Sequence, residues 1–131
     1  MTTNIFDALG GDAALAAAVD GLYDRLLPDP ITGPYFEGVA LPHLKKHLRM
    51  FLAAALGGPA VYRGRDMRSA HARLHITPAA WDRTVDHLVA VLADLGVAPG
   101  LADRVIGHLA PLRDQIVAAE PVETMAARMA A

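Results

Sequence analysis

The sequence predicts an all-α domain of about five principal helices, one of them unusually short. Apolar residues recur at helical spacing through most of the 131 residues, and no segment alternates apolar and polar residues as a half-buried strand would. Prolines and glycines stand between these segments, at positions where helices stop. With 53% hydrophobic and 20% charged residues, the chain has enough apolar side chains for one compact domain with a hydrophobic core.

Local signals set the first long helix and the corner after it. The helix lies in GGDAALAAAVDGLYDRLL, with Asp12 placed to cap its first turn. It ends at PDPITGPYF, because three prolines and a glycine leave room only for a tight corner or a single helical turn. Its apolar face consists of Leu15, Val19, Leu22 and Leu26.

The second helix, LPHLKKHLRMFLAAAL, has proline in its first turn and stops at a pair of glycines. Pro42 suits the start of a helix, where its missing N–H costs nothing. Gly57, Gly58 and Pro59 then give a glycine stop followed by a helix breaker. The expected buried stripe is Leu41, Leu44, Leu48, Phe51 and Leu52.

Three more helices complete the predicted domain. Asp66 can cap a short helix in RDMRSAHARLHI, and Thr77 with Pro78 starts a long one in AAWDRTVDHLVAVLADLG. A last helix covers roughly residues 100–118, and Pro121 breaks the chain after it. We therefore expect one domain over residues 1–118 and a tail, helical or disordered, over residues 119–131.

Composition excludes several classes of function. A formal net charge of −2 gives no electrostatic footprint for nucleic acid. The absence of cysteine excludes disulfides, thiolate zinc sites, iron–sulfur clusters and a cysteine nucleophile, and it suits a reducing cytoplasm. The acidic start and the short apolar run ALAAAV indicate neither a signal peptide nor a membrane anchor. We expect a cytoplasmic protein without nucleic-acid or membrane partners.

Among the six histidines, His71 is the strongest candidate for a functional group. It lies in the apolar stripe of the short helix with Met67 and Leu74, which offer no side-chain acceptor, and a buried imidazole needs a hydrogen bond or a metal. His47 borders the buried stripe of the second helix, and His43 lies further toward solvent. The histidines expected to be packed with a ring nitrogen bonded to a carbonyl, or to serve only as a cation near a helix end, are His75, His87 and His108.

Three kinds of protein fit this pattern. The pairs His43/His47 and His71/His75 have the spacing that chelates a metal, which favours a non-haem metal-binding helical protein, but no carboxylate stands between the members of either pair. A cofactor-free helical interaction module is a second alternative. A single buried imidazole opposite another apolar helix suits a large flat cofactor with one axial ligand, and that cofactor is haem.

Several segments, taken in order, resemble the truncated, two-on-two haemoglobins, and the first group among them. They are ALGG, LYDRLLPDP, PYFEGV, FLAAALGGPAVYRGRDM, AHARLHIT and WDRTVDHL, and they lie between residue 5 and about residue 118. The resemblance implies a truncated globin fold, in which two antiparallel helix pairs form a helical sandwich around haem.

The resemblance also assigns site residues. His71 matches the proximal iron ligand, Tyr23 the distal tyrosine whose hydroxyl hydrogen-bonds the bound oxygen, and Phe36 the aromatic that packs on haem. Leu44, His47, Leu48 and Phe51 fall on the distal helix; Tyr62, Met67, Leu74, Ile76, Trp81 and Val85 match positions on the proximal side and rim. Many relatives have glutamine where this chain has Leu44 or Leu48, so Tyr23 is expected to hold oxygen almost alone. In some relatives the residue matching His47 is a lysine that reaches toward a haem propionate, and in others it is a histidine that can bind the iron. His47 is therefore a candidate distal ligand, with a hydrogen bond to a propionate or plain solvent exposure as the alternatives.

The function implied is that of a globin carrying haem b (iron protoporphyrin IX). Such a protein reversibly binds the diatomic gases oxygen, nitric oxide and carbon monoxide. Its role would be oxygen binding and transport, or nitric oxide detoxification by a dioxygenase reaction. The chain shows no flavin or nicotinamide motif, so the electron donor for that reaction would be a separate reductase.

Overall fold

The computed structural model describes residues 4–58 and 76–117, and within them the chain is helical. The elements are α1 (Ile5–Leu9), α2 (Gly11–Leu26), a 3-10 helix (Gly33–Phe36), α3 (Leu41–Ala55), α4 (Pro78–Asp94), α5 (Pro99–Leu109), a second 3-10 helix (Ala110–Leu112) and α6 (Arg113–Ile116). The described residues contain no strand, only an isolated parallel bridge between Ile76 and Val117. The predicted all-α class is confirmed. The predicted short helix around His71, its cap Asp66 and the tail lie outside the described residues.

Gly10 is the single residue between α1 and α2. Asn4 caps α1, since its Oδ1 accepts a hydrogen bond from the Asp7 N–H at 2.7 Å. Gly10 ends α1 with φ 116°, a left-handed conformation that favours glycine, and it is also the residue before α2. The expected cap of α2 by Asp12 is therefore wrong. Because α2 begins directly at Gly11, Asp12 already lies inside the first turn.

Helix α2 lies at the centre of the packing, in contact with α3 on one side and α4 on another. Its predicted apolar face is confirmed, because Leu15, Val19, Leu22 and Leu26 are all buried. Helix α4 in turn packs on α5, which also contacts α1. The helices thus form two contacting pairs, α2 with α3 and α4 with α5, joined where α2 meets α4.

Helix α3 is buried less completely than its periodicity predicts. Leu52 and Ala53, near its end, are buried. The other members of the predicted stripe are only partly buried, although they pack against the core: Leu41, Leu44, Leu48 and Phe51. An apolar row on α3 therefore remains partly exposed.

The second half of the described chain follows its predicted signals at the start and departs from them at the end. Thr77 caps α4 by accepting a hydrogen bond from the Ala80 N–H at 3.1 Å, and Pro78 stands in the first turn, as predicted. The prediction of one continuous last helix over roughly residues 100–118 is wrong, although the segment is helical from Pro99 to Ile116. Pro111 has no N–H to continue the α-helical ladder, so α5 passes into a 3-10 turn before the short α6. No helix in the described part of the chain is both long and apolar enough to cross a bilayer.

Candidate functional site

Tyr23, near the end of α2, is a core residue that carries a hydrogen-bond donor. Its side chain is part of the core, with 4% of the residue exposed. Burial raises the pKa of the phenol to about 12, because the charged phenolate would be poorly solvated there. Within residues 4–58 and 76–117 its hydroxyl forms no hydrogen bond with another residue. At neutral pH the group is therefore a protonated O–H with its hydrogen available.

Phe36 is brought against Tyr23 by the corner that follows α2. The two ring centroids are 5.3 Å apart with the planes at 82°, an edge-to-face contact. The corner is tight: the Thr32 hydroxyl donates to the Leu26 carbonyl at 2.7 Å, and a Cβ on Gly33 would lie 2.4 Å from the Leu27 carbonyl oxygen. Only glycine allows this approach, and the 3-10 helix that begins at Gly33 carries Phe36 to the tyrosine ring.

A buried carboxylate, which sequence reasoning missed, fixes the same corner to α4. Asp29 has a side chain 3% exposed; its Oδ1 accepts from the Ile31 N–H at 2.8 Å. Its Oδ2 accepts from Arg83 Nε at 3.0 Å and from His87 Nε2 at 2.7 Å. The Ile31 N–H first, then His87 and Arg83, lower the pKa of Asp29 to about 2 against the opposing effect of burial.

Two of the histidine expectations can be compared with this geometry. His87 was expected to bond a carbonyl, but it bonds the Asp29 carboxylate, an acceptor 58 positions away. No local signal joins these residues, although the spacing of Arg83 and His87 does place two donors on one face of α4. His108 behaves as predicted, with Nδ1 3.1 Å from the Arg104 carbonyl oxygen.

Helix α3 presents its partly buried apolar row beside two histidines whose rings are in contact. Leu44, Leu48 and Phe51 pack against the core cluster that includes Tyr23. His47 is partly buried, and its ring lies 4.3 Å from that of the exposed His43, tilted by 58°. The row offers apolar contact area without a hydrogen-bond donor from Leu44 or Leu48.

Some of the remaining predicted site residues lie at or near α4, and the others lie outside the described residues. Ile76, Trp81 and Val85 are partly buried at and just before the start of α4. The Thr77 N–H donates to the Tyr35 hydroxyl oxygen at 3.4 Å, which connects this end of α4 to the 3-10 helix of Phe36. Tyr62, Met67, His71 and Leu74 lie outside the described residues, as does His75.

The described side chains fit a flat apolar group better than a bare metal ion. An apolar row, an aromatic edge and one neutral O–H donor suit a large apolar cofactor whose small ligand accepts a hydrogen bond. Among the described residues, no three or more His, Cys, Asp or Glu side chains come together as a set that could hold a metal ion. The non-haem metal site predicted as an alternative therefore has no complete ligand set in that part of the chain.

Comparison with known proteins identifies the family. A family model described as bacterial-like globin matches residues 4–118. A group 1 truncated haemoglobin of Chlamydomonas moewusii is 40% identical over 99 residues, which are 74% of this chain and 58% of that protein. One from Tetrahymena thermophila is 36% identical over 106 residues, 81% of this chain and 84% of the relative.

Solved structures agree. The Fe(III) form of the truncated haemoglobin from Tetrahymena pyriformis superposes with a TM-score of 0.85 at 29% identity, covering 88% of this chain and 98% of that one. The helical architecture, the predicted motifs and these matches lead to one assignment. The chain belongs to the bacterial-like globins and, within them, to the group 1 truncated haemoglobins.

Proposed function

We propose that this chain, as a haem-binding globin, carries haem b and reversibly binds oxygen, carbon monoxide and nitric oxide. Membership of the truncated haemoglobins supports the cofactor and the class of ligand. The observation that carries the proposal is Tyr23, a core residue whose O–H is protonated and forms no hydrogen bond with another described residue. A donor of this kind suits a small ligand that gains partial negative charge on binding.

The proposed iron ligand is His71. A neutral imidazole is the usual proximal ligand of globin haem, and the neighbours of His71 in its apolar stripe, Met67, Ala70 and Leu74, supply no side-chain acceptor. We assign Phe36, Leu44, Leu48 and Phe51 to contacts with the porphyrin on the distal side. The residues proposed for the proximal side and rim are Tyr62, Met67, Leu74, Ile76, Trp81 and Val85.

When bound, haem supplies a ferrous iron that binds a diatomic gas and can give up one electron. Tyr23 then donates a hydrogen bond to the gas, and the apolar side chains of α3 keep water from competing for that hydrogen bond. His47 is the proposed second ligand of the iron when no gas is present. Whether its imidazole turns to the iron or stays against His43 decides how freely a gas can enter.

The same site fits two roles, oxygen transport and nitric oxide detoxification. In the second, one nitric oxide, one oxygen and one electron from the iron combine to give nitrate. This reaction would consume one electron per turnover, and we propose that a separate reductase supplies it. The lack of cysteine in the 131 residues suits the reducing cytoplasm that we propose as the location.

A visible absorption spectrum of the purified protein tests the cofactor. We expect an intense Soret band, a shift of that band when carbon monoxide is added to the reduced protein, and one haem per chain. A protein that contains zinc or no cofactor gives no such band, and that result would reject the proposal in favour of a metal-binding or cofactor-free helical protein. Mixing the oxygenated protein with nitric oxide and measuring nitrate separates the two roles.

A further inference from the structure

Asp29 stands out among the described carboxylates because its side chain is almost completely buried and is still ionised at neutral pH. Both of its oxygens accept hydrogen bonds, and the donors to the two oxygens come from different parts of the fold. Oδ1 accepts from the Ile31 N–H in its own turn, whereas Oδ2 accepts from Arg83 and His87 on α4. One side chain therefore shapes the turn after α2 and also fixes that turn to α4.

His87 is the stronger of the two partners on α4. Its side chain is 18% exposed, whereas that of Arg83 is 48% exposed, so water screens the arginine more. The shorter contact is also to His87, at 2.7 Å against 3.0 Å. Because a carboxylate only accepts, the imidazole must present Nε2–H toward Asp29.

The turn held by Asp29 carries the aromatic neighbour of Tyr23. The Asp29 carbonyl accepts from the Gly33 N–H at 2.7 Å, and the 3-10 helix from Gly33 ends at Phe36. Phe36 then meets the ring of Tyr23 edge to face at 5.3 Å. A movement of the turn would move Phe36 and would change its edge-to-face contact with the Tyr23 ring.

We propose that Asp29, held by His87, is the positioning residue of the distal pocket, and that it keeps the Tyr23 hydroxyl on the bound gas through the turn that carries Phe36. This inference rests on the proposed function, since Tyr23 is the residue through which Asp29 acts. Asp29 itself is placed outside the gas site. Its effect on the gas is entirely indirect, which makes it separable from that of Tyr23 by experiment.

The first experiment measures oxygen release in the haem-loaded full chain for Asp29→Asn. The substitution keeps the size of the side chain and an acceptor for the Ile31 N–H, but it removes the charge that holds Arg83 and His87. We expect oxygen to dissociate about three- to tenfold faster, a fraction of the roughly 10- to 100-fold expected when the Tyr23 hydroxyl itself is removed. The C–O stretch of the carbon monoxide complex should move to higher wavenumber, because its hydrogen bond weakens.

Asp94→Asn is the matched control. Asp94 pairs with Arg25 and so also joins α4 to α2, but its side chain is 64% exposed and it lies outside the turn. Oxygen release should stay within about twofold of the parent protein, since exposed ion pairs contribute little. Equal acceleration in Asp94→Asn and Asp29→Asn would overturn the inference, because any weakening of the α2–α4 contact would then suffice.

A double-substitution cycle asks whether Asp29 acts through Tyr23. If it does, Asp29→Asn will have no further effect on oxygen release in the Tyr23→Phe protein. The same acceleration in both backgrounds would mean a general loosening of the fold and would overturn the inference. The Soret band separates this from the proposed function: a parent protein without haem defeats both, whereas intact haem binding with unchanged release in Asp29→Asn defeats the inference alone.

If the Asp29→Asn protein does not bind haem, variants at His87 test the positioning role of Asp29 instead. His87→Gln keeps an N–H donor near the place of Nε2, whereas His87→Leu removes it. We expect His87→Leu to release oxygen faster and His87→Gln to restore most of the slow release. Equal rates in these two variants would contradict the assigned role.

Discussion

Removing the hydroxyl of Tyr23 is the sharpest test of the distal pocket. Tyr23→Phe deletes one oxygen atom and leaves the aromatic ring in place, so the edge-to-face contact with Phe36 at 5.3 Å is kept. The residue is 4% exposed, so water has little access to take the place of the lost donor. Leu44 and Leu48 on α3 carry no donor that could replace it.

The expected size of the effect follows from the kind of hydrogen bond that is lost. A hydrogen bond to a charged or strongly polarised acceptor contributes about 1.5–3 kcal/mol. At about 1.4 kcal/mol per factor of ten, its loss should speed oxygen dissociation by roughly 10- to 100-fold. The free energy of unfolding should change by less than about 1 kcal/mol, because the ring contact and the apolar burial remain.

Stopped-flow replacement of oxygen by carbon monoxide gives the dissociation rate in both proteins. Because the pKa of the Tyr23 phenol is raised to about 12, the donor stays protonated and the parent rate should be flat between about pH 6 and pH 9. An unchanged rate in Tyr23→Phe would refute the reasoning and would point to His47 as the donor.

Three further predictions concern the histidines and the buried carboxylate. His71→Ala should lose the iron-ligation spectrum of the reduced protein whereas His75→Ala keeps it; equal spectra would reject His71. The gas-free ferrous protein should be six-coordinate and low-spin in a fraction that His47→Leu abolishes and His43→Ala raises by removing the ring contact; a purely five-coordinate parent would reject His47. Asp29, with its pKa lowered from 3.8 to about 2, binds a proton more weakly when folded, so the free energy of unfolding should fall as pH drops through that interval and fall less in Asp29→Asn; equal acid titrations of unfolding would contradict this.

Elements with local signals could be predicted from the sequence, and elements without them could not. Two neighbouring residues, Thr77 and Pro78, predict the start of α4. The spacing of apolar residues predicts the core face of α2. Helix α1 was missed because five residues are too few for periodicity to appear. The break at Pro111 was visible in the sequence, but the apolar spacing around it favoured one continuous helix.

The candidate site shows the same division. Periodicity placed Leu44, Leu48 and Phe51 on one stripe of α3, but it could not show that all three are only partly buried. Tyr23 was singled out only by resemblance, since its neighbours Leu22 and Leu26 make it look like any core residue. The bond between Asp29 and His87 joins two parts of the chain that no local pattern connects, so it appears only when the chain is folded.

When the proposed distal pocket has one hydrogen-bond donor, the position of that donor depends on residues outside the pocket. A hydrogen bond weakens steeply as its angle and length depart from the optimum, and a pocket with two donors can compensate for such a movement. In this chain the leucines on α3 cannot compensate, so the position of the Tyr23 hydroxyl must be fixed by what holds its ring. Phe36 provides that contact, and Asp29 fixes the turn that carries Phe36. A glutamine introduced at Leu44 or Leu48 of this chain should therefore reduce the effect of Asp29→Asn on the rate of oxygen release.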